Sequence, residues 1–437
     1  MTNIFFKTYI IFIGCVLFNL NITQAQAPKE LPFIIGDALP DAPELSPRGK
    51  YKIGVQTLDL VNKRQIDILK TKDSVAVFYD RPLKVEVWYP AVIAEDDKNI
   101  ETYSDFLGVA NNSKRPLIPF TFEGRASRNA PPQYADGIFP LVVVSHGYPG
   151  SRFLMTYLTE NLASKGYIVV SIDHTESTHG DATGFQSTLL NRGTDILFVI
   201  NEMAERSKAT PKNFLSGLVD ANNTAIIGYS MGGYGVLNAA GAGYSTKLDT
   251  IFRVLTNDNR AIQTRLTNNA TFKASYDPRI KAVVAFAPWG MQRGVWDAEG
   301  LQGLIVPTFF IAGSLDDISG YETGTKAIYK GTTHADRYLL TYMNARHNVA
   351  PNPPPSATLK QGVDMGEYYH YAEPAWHEQR INNINQHFVT AFLGIHLKKE
   401  AYQKYLNLNE NANDKLWIGF KPRSAVGLEL LQAKAAK

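Results

Sequence analysis

Cysteine is almost missing. The 437 residues contain one, Cys15, and it falls in the N-terminal apolar stretch. A body without cysteine holds no disulfide, no thiolate metal centre and no cysteine nucleophile, so packing alone must stabilise it. An excess of one charge is missing too, since 44 basic and 41 acidic side chains leave a formal net charge of +3. That balance gives no electrostatic footprint for nucleic acid or an anionic membrane surface. Internal repeats, heptad arrays, a Walker loop and a dinucleotide fingerprint are also absent. With 44% hydrophobic and 19% charged residues, the chain has the composition of a globular protein able to bury a large core.

The residues that carry chemistry lie between Asn223 and Ala240. Thr224, Ile226 and Ile227 read as a buried strand bounded by Gly228, and Tyr234, Val236, Leu237 and Ala240 recur at helical spacing. Between them stands Gly228-Tyr229-Ser230-Met231-Gly232, a G-x-S-x-G match on a strand-to-helix turn. A serine on so tight a turn is pushed into the open at a helix N-terminus, where free N–H groups favour a developing negative charge. The plain alternative is a glycine-rich turn with an incidental serine. Strand, helix and the additional Gly233 argue against it.

A serine needs a base, and this arrangement calls for an acid and then a histidine, each just beyond a strand. The buried-strand run 305–312 ends in Gly313-Ser314-Leu315-Asp316-Asp317, and the strand 337–343 runs out into Asn344-Ala345-Arg346-His347. Ser230 and His347 are therefore the expected nucleophile and base, with Asp316 or its neighbour Asp317 as the orienting acid. An oxyanion hole is expected from the backbone N–H groups of Met231 and of Tyr148, because 140–150 is an apolar strand opening into a His146-Gly147 turn. Trp289, at the end of the next strand, is expected to wall an acyl pocket. His174, in the loop 173–181, is expected on the pocket rim. A metal at that His- and acid-rich loop is the competing reading, but the triad needs neither metal nor cofactor, and none is expected.

The set His146-Gly147-Tyr148, Gly-Tyr-Ser230-Met-Gly-Gly, Gly313-Ser-Leu-Asp316 and His347 resembles the α/β-hydrolase superfamily. More narrowly it is similar to bacterial dienelactone-hydrolase-like and platelet-activating-factor-acetylhydrolase-like serine esterases, over about Tyr51 to Leu397. The resemblance implies an α/β fold, with a mostly parallel central sheet, helices on both faces and a cap-like insertion. It also implies Asp316 as the acid, and hydrolysis of carboxylic esters with short acyl chains through an acyl-enzyme. Two departures stand out: dienelactone hydrolases proper use cysteine, and the lipid-mediator acetylhydrolases carry Gly-His-Ser at the elbow. The pair Tyr148 and Met231 is similar to the oxyanion hole of cutinase-like polyester hydrolases, so a polymeric ester is the alternative substrate. A non-catalytic binding protein on the same fold is the reading from another class.

The remaining chain divides as follows. Met1 to Ala27, with Lys7, the apolar stretch from Tyr9 to Leu20 and Ala25-Gln26-Ala27, fits a secretory signal peptide. It is shorter than a membrane span, so export to periplasm or medium is expected, with no membrane span after cleavage. Residues 28–50 hold five prolines and read as a linker, and 51–397 as the catalytic domain. Within it, 91–137 reads as surface loop with a short helix around Asp105, and 241–274 as a candidate cap over the site. A closing helix is expected from Pro374 to Leu397, and 398–437 as an appended segment in which Trp417, Phe420 and Leu428 pack back.

Overall fold

Six runs of the chain are apolar on both faces of an extended backbone, a pattern that suits a parallel sheet covered by helices on both sides. A computed structural model describes residues 32–72, 75–94, 97–208, 210 and 212–436. The expected signal peptide, Met1 to Ala27, lies outside the described residues. The strands are β1 (Lys52–Ile66), β2 (Phe78–Ala91), β3 (Glu101–Leu107), β4 (Ile118–Gly124), β5 (Ser127–Arg128), β6 (Phe139–Ser145), β7 (Ile168–Asp173), β8 (Val219–Tyr229), β9 (Ile280–Phe286), β10 (Thr308–Gly313), β11 (Arg337–Tyr342) and β12 (Leu428–Ala433). The helices are α1 (Thr156–Ser164), α2 (Phe185–Arg206), α3 (Met231–Ala239), α4 (Thr246–Leu255), α5 (Ala270–Ala274), α6 (Ala298–Gln302), α7 (Lys326–Gly331), α8 (Met365–Tyr368) and α9 (Glu378–Lys398).

Ten strands form one sheet in the order β12-β11-β10-β9-β8-β6-β7-β2-β1-β5. From β7 to β11 all neighbours are parallel, while β2 and β12 join at either end antiparallel. Side chains alternate across the sheet, as a period of two requires. Val142 and Val144 point into the layer that holds Leu158 of α1 and Phe388 of α9. Leu141 and Val143 point into the layer of Ile196 on α2 and Leu237 on α3. Because the inner strands share one direction, their carboxyl ends share one edge, and the loops after β6, β8, β9, β10 and β11 meet there.

Three expectations differ from the structure. The proline-rich stretch before β1 is not a free linker: Ser46 Oγ donates to the Asn383 carbonyl at 2.6 Å, Asn161 Nδ2 donates to the Ser46 carbonyl at 2.7 Å, and the Glu44 N–H donates to the Gly419 carbonyl at 2.8 Å. Proline supplies the extended backbone, and neighbouring side chains satisfy its polar groups. The region around Asp105 is a hairpin of β3 and β4 instead of a helix. Tyr103, Asp105 and Leu107 face inward at alternate positions, and the Tyr103 hydroxyl accepts from Trp88 Nε1 at 2.8 Å and donates to Glu160 at 2.9 Å. The 241–274 insertion packs on α2 and bonds to Gly294, Val295 and Asn238. Finally, the closing helix starts at Glu378, four residues beyond Pro374.

The C-terminal segment contributes more than surface cover. β12 pairs with β11 from Tyr342↔Leu428 to Arg337↔Ala433. Trp417, 1% exposed, stands edge-on to Phe388 at 6.0 Å and to Phe420 at 5.8 Å. Trp417→Ala is expected to cost about 3–5 kcal/mol, the usual cost of emptying a buried aromatic site. Urea unfolding measures it, and the activity of the molecules that remain folded should be unchanged.

Candidate active site

The elbow at Ser230 is made by contact distances that only glycine allows. A Cβ at Gly228 would lie 2.2 Å from the Gly232 carbonyl oxygen, one at Gly232 would lie 1.9 Å from that of Ser145, and one at Gly233 would lie 2.7 Å from Pro288 Cα. β8 and α3 are thereby pressed against the strand ends on either side. Ser230 takes the bend itself, at φ 53 and ψ −111, a region non-glycine residues avoid at a cost of about 1–3 kcal/mol. The bend is pinned: Ser230 N–H donates to the Phe286 carbonyl at 2.9 Å, and the Ser230 carbonyl accepts from Trp289 and Tyr234 at 3.1 and 3.0 Å.

The structure brings Ser230, His347 and Asp316 into one hydrogen-bonded chain. Ser230 Oγ lies 3.0 Å from His347 Nε2, and His347 Nδ1 lies 3.0 Å from both carboxylate oxygens of Asp316. Asp316 accepts at Nδ1–H, so Nε2 is left free to accept from the serine. The three residues are 7, 8 and 6% exposed, sheltered yet at the surface. Burial pushes the Asp316 carboxyl up, but the His347 ring and the N–H groups of Ser319 and Ile318 outweigh it and hold the group below the ordinary carboxylate range. Asp317, the neighbouring acid, is exposed and paired with Arg346 at 2.9 Å.

His347 is held by residues that the sequence did not single out. The Tyr229 ring lies 5.2 Å from the imidazole at a 36° tilt, and its hydroxyl donates to Asn348 Oδ1 at 2.9 Å. Asn348 Nδ2 in turn donates to the carbonyls of Tyr369 and Ala372. On the other side of the nucleophile, the turn after β6 closes in, with Gly147 so placed that a Cβ there would lie 3.7 Å from Ser230 Cβ. Neither the Met231 nor the Tyr148 N–H donates to a protein acceptor among the described residues. Trp289, Phe185 and Tyr148 form a half-buried aromatic wall, with ring centroids 5.3 and 5.4 Å apart in edge-to-face steps. Phe185 opens α2 and carries no motif, so only packing reveals it.

His174 does not stand on the rim. It is 1% exposed, with Nδ1 2.9 Å from Asp195 and Nε2 2.9 Å from Ser145 Oγ, and both of those partners are fully buried. Arg81 grips Asp195 through Nε and Nη2 at 2.9 and 3.0 Å. The strand carries His174 inward, where a buried carboxylate and hydroxyl satisfy both ring nitrogens. Burial and the Arg192 charge push its imidazole down to about 3, so it stays neutral. The loop that follows is bound to itself, Asp181 accepting from the N–H groups of Glu176 and Thr178. Among the described residues no group of three or more His, Cys, Asp or Glu is arranged to hold a metal.

Burial pushes the Asp195 carboxyl up, but Arg81 and His174 outweigh it and bring the group down to about 2. A folded-state value below that of the unfolded chain means a contribution fully present above about pH 4 and lost as pH falls through about 2. Asp195→Asn, which removes the bidentate anion of buried Arg81 and leaves it the longer pair with Glu176 at 3.3 Å, is expected to cost about 3–5 kcal/mol at neutral pH by chemical denaturation. Its stability should also fall less steeply than the parent's over that acid range.

Residues 128–252, which hold the Tyr148 turn and the Ser230 elbow, match the model of a PET hydrolase-like family (PETase). Cutinase 1 of Thermobifida cellulosilytica is 25% identical over 235 residues, 52% of this chain and 70% of that one. A bis(hydroxyethyl) terephthalate hydrolase of Streptomyces coelicolor is 23% identical over 271 residues, 62% and 69% of the two chains. The chain spans 53 to 70% of the length of the cutinases it matches. Among solved structures, a ferulic acid esterase from Streptomyces cinnamoneus superposes with a TM-score of 0.54 at 18% identity, over 87% of this chain and 97% of that one. No helix among the described residues is long and apolar enough to cross a membrane. These relatives do not support the narrower resemblance to dienelactone hydrolases and acetylhydrolases. They do agree with the sheet and the elbow on the broader one: the chain has an α/β-hydrolase fold and is similar to carboxylic ester hydrolases.

Proposed function

We propose that the protein cleaves carboxylic esters by forming an acyl-enzyme on Ser230. The observation that carries this reading is the unbroken chain from Ser230 Oγ through His347 to Asp316 at a residue held in a bent backbone. In the first half-reaction Oγ attacks the ester carbonyl while His347 Nε2 takes its proton. The oxyanion that forms is received by the N–H groups of Tyr148 and Met231. Collapse breaks the ester C–O bond, and the proton on Nε2 goes to the departing alkoxide. Water then repeats the attack on the acyl-enzyme, with His347 again taking and returning the proton, and Ser230 and a carboxylic acid are released. Asp316 stays ionised throughout, keeping the ring in one tautomer and balancing its charge.

The acyl group is best read from the wall beside the nucleophile. Trp289, Phe185 and Tyr148 offer flat apolar faces, and Leu315 and Ile318 are exposed on the loop that carries Asp316. Such a surface binds an aromatic or extended acyl group better than an acetyl group. The names of the relatives, a cutinase, a terephthalate ester hydrolase and a ferulic acid esterase, agree with that chemistry. The short-chain preference implied by the first resemblance has no corresponding feature here. Met1 to Ala27 supports action outside the cytoplasm.

Ser230→Ala is expected to lose several decades of ester hydrolysis while its circular dichroism is unchanged; residual turnover near the parent rate would move the nucleophile elsewhere. On nitrophenyl esters, Trp289→Ala should lower kcat/KM for a benzoate or long-chain ester by roughly tenfold more than for the acetate, as loss of one aromatic contact predicts. An equal loss on all esters would remove the acyl-wall role. N-terminal sequencing of the exported protein should begin at Pro28.

A further inference from the structure

We infer that Arg192 and His146 are positioning residues that hold the Gly147–Tyr148 peptide so that its N–H faces the reacting carbonyl. This deepens the reading of Tyr148 as an oxyanion donor and rests on it. Arg192 rises from α2 beneath the turn after β6 and is fully buried against it. Its Nη1 donates to the His146 carbonyl at 2.6 Å, its Nη2 to the Gly147 carbonyl at 3.4 Å and to Ser177 Oγ. His146 Nδ1 lies 2.6 Å from the same Gly147 carbonyl.

The ring can donate there because its other nitrogen is already an acceptor. The His174 N–H donates to His146 Nε2 at 3.2 Å, which places the proton on Nδ1. Burial and the neighbouring Arg192 charge push the His146 imidazole well below its usual value, and the neutral ring keeps that tautomer. The Gly147 carbonyl thus has two donors on the inner side of the loop. Across a trans peptide bond the C=O and the following N–H point in opposite directions. Fixing the Gly147 carbonyl inward therefore turns the Tyr148 N–H outward, on the side where Gly147 lies against Ser230, and that N–H has no protein acceptor among the described residues.

A second set of bonds holds Arg192 itself. Nη1 also reaches Ser145 Oγ at 3.4 Å, Ser145 is bonded to His174, and His174 to Asp195, which Arg81 grips. The buried Ser145–His174–Asp195 series, which repeats the composition of a catalytic triad, serves in this arrangement as the footing of the oxyanion loop. A lysine at 192 would keep the charge but could not fork between two successive carbonyls.

The test compares Arg192→Met, Arg192→Lys and His146→Leu with the parent and with Ser230→Ala. Each is read by kcat and KM on a nitrophenyl ester, by the rate of inactivation with a nitrophenyl phosphonate, and by thermal unfolding. In folded Arg192→Met, kcat is expected to fall about 100-fold, as for loss of an oxyanion donor, with KM within about threefold and phosphonylation slowed along with kcat. Arg192→Lys should recover part of the rate. Folded variants with an unchanged kcat, or with KM rising as kcat falls, would overturn the inference. If no variant folds, a crystal structure of the parent phosphonate adduct decides: a phosphoryl oxygen bonded to the Tyr148 N–H supports it, and one bonded elsewhere overturns it. Retained activity in Ser230→Ala would sink the esterase reading beneath it, whereas an inactive Ser230→Ala beside a fully active Arg192→Met would sink this inference alone.

Discussion

Everything at the catalytic edge depends on the closeness with which α3 is forced onto the ends of β6 and β9. Three glycines let backbone touch backbone there, and the serine among them absorbs the bend. The strain at Ser230 is offset by hydrogen bonds to Phe286, Trp289 and Tyr234, so the loops after two strands are registered against the nucleophile residue itself. A larger residue at Gly232 would meet the Ser145 carbonyl, and would therefore move the oxyanion turn together with the elbow. The elbow serine, the aromatic wall and the turn after β6 are in this sense one mechanical part.

The molecule contains two Ser-His-Asp series, and comparison shows what turns composition into chemistry. Ser145, His174 and Asp195 have bond lengths similar to those of Ser230, His347 and Asp316. The first series is sealed from solvent and its serine lies within a regular strand, with an arginine nearby. The second opens at the surface on a bent backbone beside two N–H groups that lack protein acceptors among the described residues. Hydrogen bonding orients both series, and exposure and backbone shape distinguish them.

Much of the architecture could be read from the chain because its parallel strands are apolar on both faces and its helices keep a regular period. The elbow was equally legible, since glycine at fixed offsets has a steric cause. His347 was picked out by its place after a strand, whereas strand-end position alone left Asp316 and Asp317 open and only the resemblance favoured Asp316: in the structure that residue turns in to the imidazole and its neighbour out to Arg346. His174 misled because a polar residue after a strand reads as rim, and nothing local shows that Asp195 and Ser145, far off in sequence, meet its two ring nitrogens. Phe185, Tyr229 and Asn348 were missed for a related reason, as their roles arise from contacts across the sheet edge. The hairpin at Asp105 and the role of 428–433 were hidden by long-range pairing, for which short windows of sequence carry little signal.

The pairing of β12 with β11 has a consequence for the order in which the protein matures. β12 follows every other strand in chain order, and β11 leads directly into the segment that carries His347. Until β12 is in place, that border of the sheet has a row of unsatisfied amides and carbonyls. The segment that carries His347 therefore gains this support after the Ser230 elbow has been made.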